Sequence, residues 1–205
     1  MDSPFLRSDH AGYAEILTDG TIHILGAAGI DRWSVRGLAR WMKVTPSALL
    51  NGYTRARVLE IVIISFERRW LAWSASDSMF GPSPADVPLR LPDTEDEKLG
   101  VLVHTSLQQL AEAERLRGNP APTAHLARLR REEDALLRHR LGQLADRLEV
   151  SPPDDPVVSS TMALVTGLRV ALADPATELG WSAACQTLRD HVTAGLKAGR
   201  RDLAS

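Results

Sequence analysis

The stretch Gly29–Leu59, GIDRWSVRGLARWMKVTPSALLNGYTRARVL, decides how this chain folds. Ser34 precedes an apolar run with helical spacing: Val35, Leu38, Ala39 and Met42. Its hydroxyl suits the cap of a short helix over 35–42. Thr45 offers a second cap, with Pro46 in the first helical position, where its missing N–H costs nothing. That helix is brief, about 46 to 51, and Gly52 stops it. Thr54 caps a longer helix over 55–74 that is apolar on most faces, carrying Val58, Leu59, Val62, Ile63, Phe66, Trp70 and Trp73. Such a helix runs through an interior and joins two parts. Two short helices around a tight turn form the helix-turn-helix plan.

Working outward, Tyr13, Ile16, Leu17, Gly20, Ile24, Ala27 and Ala28 share one face of a first helix. Gly29 ends it, because glycine accepts the left-handed conformation of a C-terminal cap. Downstream, Gly81, Pro82, Pro84, Pro88 and Pro92 read as a loop over 75–92. Helical patterns resume at 94–117, 123–149, 157–173 and 176–200, punctuated by Pro120, Pro152, Pro153, Pro156 and Pro175. Strand signals are scarce. The expectation is an all-α chain. An N-terminal three-helix helix-turn-helix domain over 1–66 is followed by a C-terminal helical domain over 67–205, the boundary falling inside the fourth helix near Phe66.

Of 205 residues, 44% are apolar and 24% charged, the composition of a globular protein. The net charge is −2, but residues 1–75 hold 9 Lys/Arg and 7 Asp/Glu (net +2), and residues 76–205 hold 15 and 19 (net −4). Arg32, Arg36, Arg40, Lys43, Arg55 and Arg57 follow one another with no acid between them. A basic head on an acidic body suits a protein of which one end meets a polyanion. A basic cluster on an ordinary solvated helical surface is the competing reading.

The single cysteine, Cys185, permits no intramolecular disulfide and fits a reducing compartment. The N-terminus lacks an apolar signal core, and the apolar stretch Val58–Phe66 is too short to span a bilayer. A cytoplasmic location and no membrane partner are expected. The histidines show no metal-ligand spacing such as His-Glu-x-x-His, and no Gly-rich phosphate loop is present. Glu132, Glu133 and Asp134 sit among Arg128, Arg130, Arg131 and Arg138 as helix-surface ion pairs. No catalytic centre, metal site or cofactor is therefore expected.

In a helix-turn-helix the second helix inserts its N-terminal half in the major groove, while the first crosses the backbone. Thr45, Ser47 and Asn51 then reach phosphates or base edges, and Arg36, Arg40 and Lys43 meet phosphates. The segment resembles the TetR family of transcriptional regulators. Ile16 and Leu17 match the family's first helix, and Gly29 and Asp31 its Gly-x-Asp turn. Ser34, Arg36, Leu38 and Ala39 match Ser/Thr-x-Arg-x-Leu/Ile-Ala, and Val44, Thr45, Leu49, Tyr53 and Leu59 continue the match.

The resemblance covers about residues 10–70 and implies a DNA contact set of Ser34, Arg36, Arg40, Lys43, Thr45, Pro46, Ser47, Asn51, Tyr53, Arg55 and Arg57. The chain departs from the family at Lys43, where a turn glycine is usual, and at Leu50, Gly52 and Ala56, which replace phosphate-contacting side chains. Arg55 and Arg57 flank Ala56 and are the candidates to supply the missing charge. Two other readings stay open. One is a three-helix domain that never meets DNA; the other is a protein of this fold that binds ligands or proteins after losing its grip on DNA.

The resemblance further implies a double-stranded operator, a homodimer, a small-molecule effector and, most often, repression. Dimer contacts would come from the helices at 157–173 and 176–200. The first carries a stripe of small residues, Ser160, Ala163, Gly167 and Ala171. The second has Trp181, Ala184, Cys185, Leu188, Val192 and Leu196 on one face. Burial of both faces within one subunit is the alternative; dimerisation is preferred because a two-fold protein matches a palindromic operator. Candidate pocket residues are Trp70, Trp73, Met79, Phe80, Met162 and Trp181, with His104 and His125 as polar contacts. For any one of these residues, ordinary core packing is the commoner role.

Overall fold

A computed structural model describes residues 12–50, 53–76 and 89–198. These residues form helices and connecting turns and no strand. The helices are α1 (Tyr13–Ala28), α2 (Val35–Trp41), α3 (Pro46–Leu50), α4 (Arg55–Ala75), α5 (Glu95–Leu116), α6 (Ala121–Arg147), α7 (Asp155–Ala173) and α8 (Trp181–Ala198), with a 3₁₀ turn at Ile30–Arg32. The expected all-α class holds. By compactness the chain forms two units, residues 1–71 with 99–129 and residues 72–98 with 130–205. The division falls inside α4, the helix in which the sequence places a domain boundary, but the first unit also takes in most of α5 and the start of α6.

In the first unit, α1 packs on α2 and α2 on α3. The buried face of α1 differs from the expected one. Leu17, Thr18, Gly20, Thr21, Ile22 and Leu25 are buried, whereas Tyr13 and Ile16 are exposed. The cause is that both threonines enter the interior with their hydroxyls satisfied. Thr18 Oγ1 donates to Ala14 O at 2.8 Å, and Thr21 Oγ1 accepts from Trp33 Nε1 at 3.3 Å. A hydrogen-bonded threonine can be buried without the cost of an orphaned polar group. Gly20 is needed for the close approach of α2: a Cβ there would lie 2.5 Å from Trp41 Cε3 and 2.6 Å from Leu38 Cδ1.

An ion-pair cluster fastens α1 to α4. The buried Arg69 guanidinium pairs with Glu15 and Asp19, and Ser65 Oγ donates to Glu15 Oε1 at 2.8 Å. Removing one member of such a buried set leaves the others uncompensated, a loss of about 3–5 kcal/mol.

The second unit is built around α7 and α8, which pack together. Val158, Met162, Val165, Leu168 and Leu172 of α7 share a core with Ala184, Cys185, Leu188, Val192 and Leu196 of α8, closed by Leu137 and Leu141 of α6 and by Leu89 and Leu91. A buried Arg169 is a polar hub in this unit. Its Nε donates to Arg90 O (3.0 Å), Nη1 to Glu133 Oε1 (2.9 Å) and Nη2 to Ser74 Oγ (3.0 Å). The guanidinium also lies 4.8 Å from the centre of the Trp73 ring. Glu133 thus belongs to the interior, not to the helix-surface ion pairs the sequence suggests.

Helix α8 starts at Trp181, later than the expected 176. Asp174 Oδ1 accepts the Ala176 N–H at 2.9 Å and Asp174 O accepts the Thr177 N–H at 3.0 Å, a turn that competes with the helix. Helix α7, unlike Val58–Phe66, is long and apolar enough by composition to cross a bilayer. Its apolar face instead lies in the core just described.

Candidate nucleic-acid interface

The short helices of the first unit begin as the sequence predicts. Ser34 Oγ accepts the Gly37 N–H at 3.0 Å, Thr45 Oγ1 that of Ala48 at 3.1 Å, and Thr54 Oγ1 that of Arg57 at 3.2 Å. Each cap removes one orphan donor of a helix start. Thr45 Oγ1 also bonds Ser47 Oγ at 3.0 Å, so both hydroxyls sit together at the exposed start of α3, beside exposed Pro46.

Helix α2 closes through Lys43. Its N–H donates to Arg40 O at 3.1 Å, and the Val44 N–H reaches back to Ala39 O at 3.0 Å. This closure needs a left-handed residue, and Lys43 supplies it with φ 57°. A non-glycine residue there costs about 1–2 kcal/mol. The turn keeps its geometry despite the missing glycine, and the lysine adds a cation beside the start of α3.

Arg36, Arg40 and Lys43 are exposed, and none forms an ion pair among the described residues. Arg32, Arg36 and Arg40 line an open concavity of about 630 Å³ with Ala28, Asp31, Ser34 and Gly37. Arg55 and Arg57 are placed differently. Arg55 Nε lies 2.9 Å from Glu114 Oε1, and its guanidinium is 5.2 Å from the centre of the Trp33 ring. Arg57 Nη1 lies 2.7 Å from Glu60 Oε2. The two arginines flanking Ala56 are therefore held by carboxylates and are not unengaged charges. Tyr53 stacks on Tyr13 with ring centres 6.1 Å apart. Leu50 and Val44 stay exposed at the edge of the same small domain. Asn51 and Gly52 lie outside the described residues.

Sequence comparison alone is silent: no model of a known protein family and no curated protein matches the chain. Solved structures do match. A transcriptional regulator from Rhodococcus sp. Rha1 superposes with a TM-score of 0.67 at 19% identity, over 91% of this chain and 97% of that one. A TetR-family transcriptional regulator from Rhodococcus sp. gives 0.65 at 19% identity, over 89% and 97%. The chain has the TetR fold.

In this TetR fold the candidate effector residues divide into separate settings. Trp70 and His104 come together in the first unit, ring centres 4.0 Å apart, with Phe66 6.3 Å from the His104 ring. Trp70 itself is buried. His125 Nε2 lies 3.0 Å from Glu60 Oε1. In the second unit Trp73 is buried under Arg169, Met162 belongs to the core and Trp181 packs against that core. Met79 and Phe80 lie outside the described residues. Arg32, a wall of the basic concavity, is not among the contacts expected from the sequence, nor are Glu60 and Glu114 as the acids that hold the α4 arginines. Only Glu60 had a legible signal, its helical spacing from Arg57.

Proposed function

We propose that this protein is a DNA-binding transcriptional regulator of the TetR type. The observation that carries the reading is the set Arg36, Arg40 and Lys43: exposed cations without ion-pair partners among the described residues, set around the turn of a helix-turn-helix. Such groups bind phosphates and fix register, and the α3 start, with Thr45 and Ser47, reads base edges. The solved TetR-fold regulators support the same reading.

The finer features are a homodimer on a palindromic operator, repression, a cytoplasmic location and release by a small-molecule effector. The dimer is supported by the outer face of α7, where Ser160, Ala163, Gly167 and Val170 are exposed. The apolar face of α8 is used within its own unit, so α8 would offer Ala183, Thr187 and Ala194 to a mate. The effector is supported by the Trp70–His104 pair, an aromatic face beside a polar ring. A ligand acts only by preferring one of two head spacings.

A second reading, a TetR-fold protein that binds ligands or proteins and has lost DNA binding, is favoured by the capture of Arg55 by Glu114 and of Arg57 by Glu60. Selection of bound duplexes from a random pool separates the two. The regulator enriches a palindrome with half-sites about one helical turn, roughly 34 Å, apart. Failure to enrich any sequence supports the second reading.

A further inference from the structure

Glu60, one turn beyond Arg57 on α4, presents its two carboxylate oxygens to different partners. Oε2 lies 2.7 Å from Arg57 Nη1, and Oε1 lies 3.0 Å from His125 Nε2 on α6. Arg57 and Glu60 wall a hollow of about 350 Å³ with Thr54, Ala56 and the α5–α6 turn at Gly118–Ala121. Exposure is graded: the side chain of Arg57 is 52% exposed, that of His125 22% and that of Glu60 17%. Burial pushes the Glu60 carboxyl up, but Arg57 and His125 together outweigh it and hold Glu60 below the usual carboxylate range. One ionised carboxylate is thus shared between a permanent cation and a conditional one.

We propose that Glu60 withholds Arg57 from DNA phosphate and that protonation of His125 releases it, so that DNA affinity rises as pH falls. The inference rests on the DNA-binding reading above. A neutral His125 gives Glu60 at most a hydrogen bond, and Arg57 alone balances the negative charge. A protonated His125 balances that charge itself, and the long exposed Arg57 side chain is free to meet a phosphate. Tyr53 also acts on Arg57, and other charged groups on α4, α5 and α6 are already paired, Arg55 and Arg117 with Glu114 and Arg128 with Glu67. These carboxylates and guanidinium groups belong to types that do not titrate between about pH 5.5 and 8. Among the described residues around Glu60, His125 is the side-chain type that does.

The test uses the full chain and one duplex at fixed ionic strength from about pH 5.5 to about pH 8. Wild type should bind several-fold more tightly at the acid end. His125→Gln should lose that dependence, Glu60→Gln should bind tightly throughout, and His23→Gln should behave as wild type. A His125→Gln variant that keeps the wild-type profile overturns the proposal. Absence of DNA binding by every variant at every pH sinks the regulator reading instead, and a second readout then decides the relay. In Arg57→Ala the ring resonances of His125 should change over at higher pH than in wild type, because Glu60 then has one partner fewer. An unchanged transition there overturns the shared-carboxylate arrangement itself.

Discussion

Arg55 and Glu114 form an ion pair, Nε to Oε1 at 2.9 Å, in which the carboxylate is 3% exposed and the arginine 41%. The contact lacks the alignment of a hydrogen bond at Nε, so it acts by charge. Glu114 also takes Arg117 Nη1 at 2.9 Å and Asn119 Nδ2 at 3.1 Å. This buried acid gathers the start of α4 onto the end of α5. Arg55, a candidate phosphate contact by position, is thereby a fastener between helices.

Arg55→Ala and Arg36→Ala should therefore act on different properties. Arg55→Ala lowers stability by more than the ~1 kcal/mol of a surface pair, because it leaves the buried Glu114 carboxylate with Arg117 and Asn119 alone, and changes DNA affinity little. Arg36→Ala leaves stability unchanged and weakens binding to all sequences alike. Its salt slope should fall by about two for a dimer, one per protomer. Paired thermal melts and salt-titrated binding check both; a larger affinity loss for Arg55→Ala would reverse their roles.

Lys43→Gly should raise stability and lower affinity at once. Glycine relieves the left-handed strain at φ 57°, a gain of about 1 kcal/mol or about 2–4 °C in Tm for a chain of this size. The same change removes a cation beside α3. A lower Tm in Lys43→Gly would show that the lysine side chain makes a stabilising contact that outweighs its backbone conformation.

The legible parts of the structure are the local ones. Ser34, Thr45, Thr54 and Gly29 carry cap and turn chemistry within a few residues of where it acts, and each stands where the sequence predicts it. The buried face of α1 is not legible because Thr18 and Thr21 count as polar until their partners, Ala14 and Trp33, are known. Arg69 on Glu15 and Asp19, Arg169 on Glu133, and Arg55 on Glu114 join distant parts of the chain, and no spacing rule announces them. For the candidate site, the sequence supplied the cations but not which of them are already engaged.

Val170→Asp tests the proposed dimer face. Val170 is 46% exposed on α7, and no atom lies within 4 Å of a Cβ built on nearby Gly167. If this face meets a mate, the variant places paired charges in the interface and shifts sedimentation from dimer toward monomer. If it faces solvent, sedimentation is unchanged.

Cys185 gives a pH prediction at the alkaline end. Burial first, then Asp93, raises its thiol from 9.0 to about 11, with Arg189 opposing. The folded state therefore favours the neutral thiol. Its contribution is complete below pH 9.0 and is lost as pH rises toward about 11, because the unfolded chain ionises first. Urea midpoints of wild type should fall through this window more steeply than those of Cys185→Ala; parallel curves would show that the thiol titrates alike in both states.

Salt-titrated binding of the purified protein to duplex from its own gene neighbourhood, with random duplex as control, tests the central claim most directly. If the protein binds as the proposed dimer, Arg36, Arg40 and Lys43 of two protomers displace roughly six counterions, so log affinity should fall against log salt with a slope of about −5, and binding should be selective. Equal, weak binding to both duplexes with a slope near zero would contradict the account.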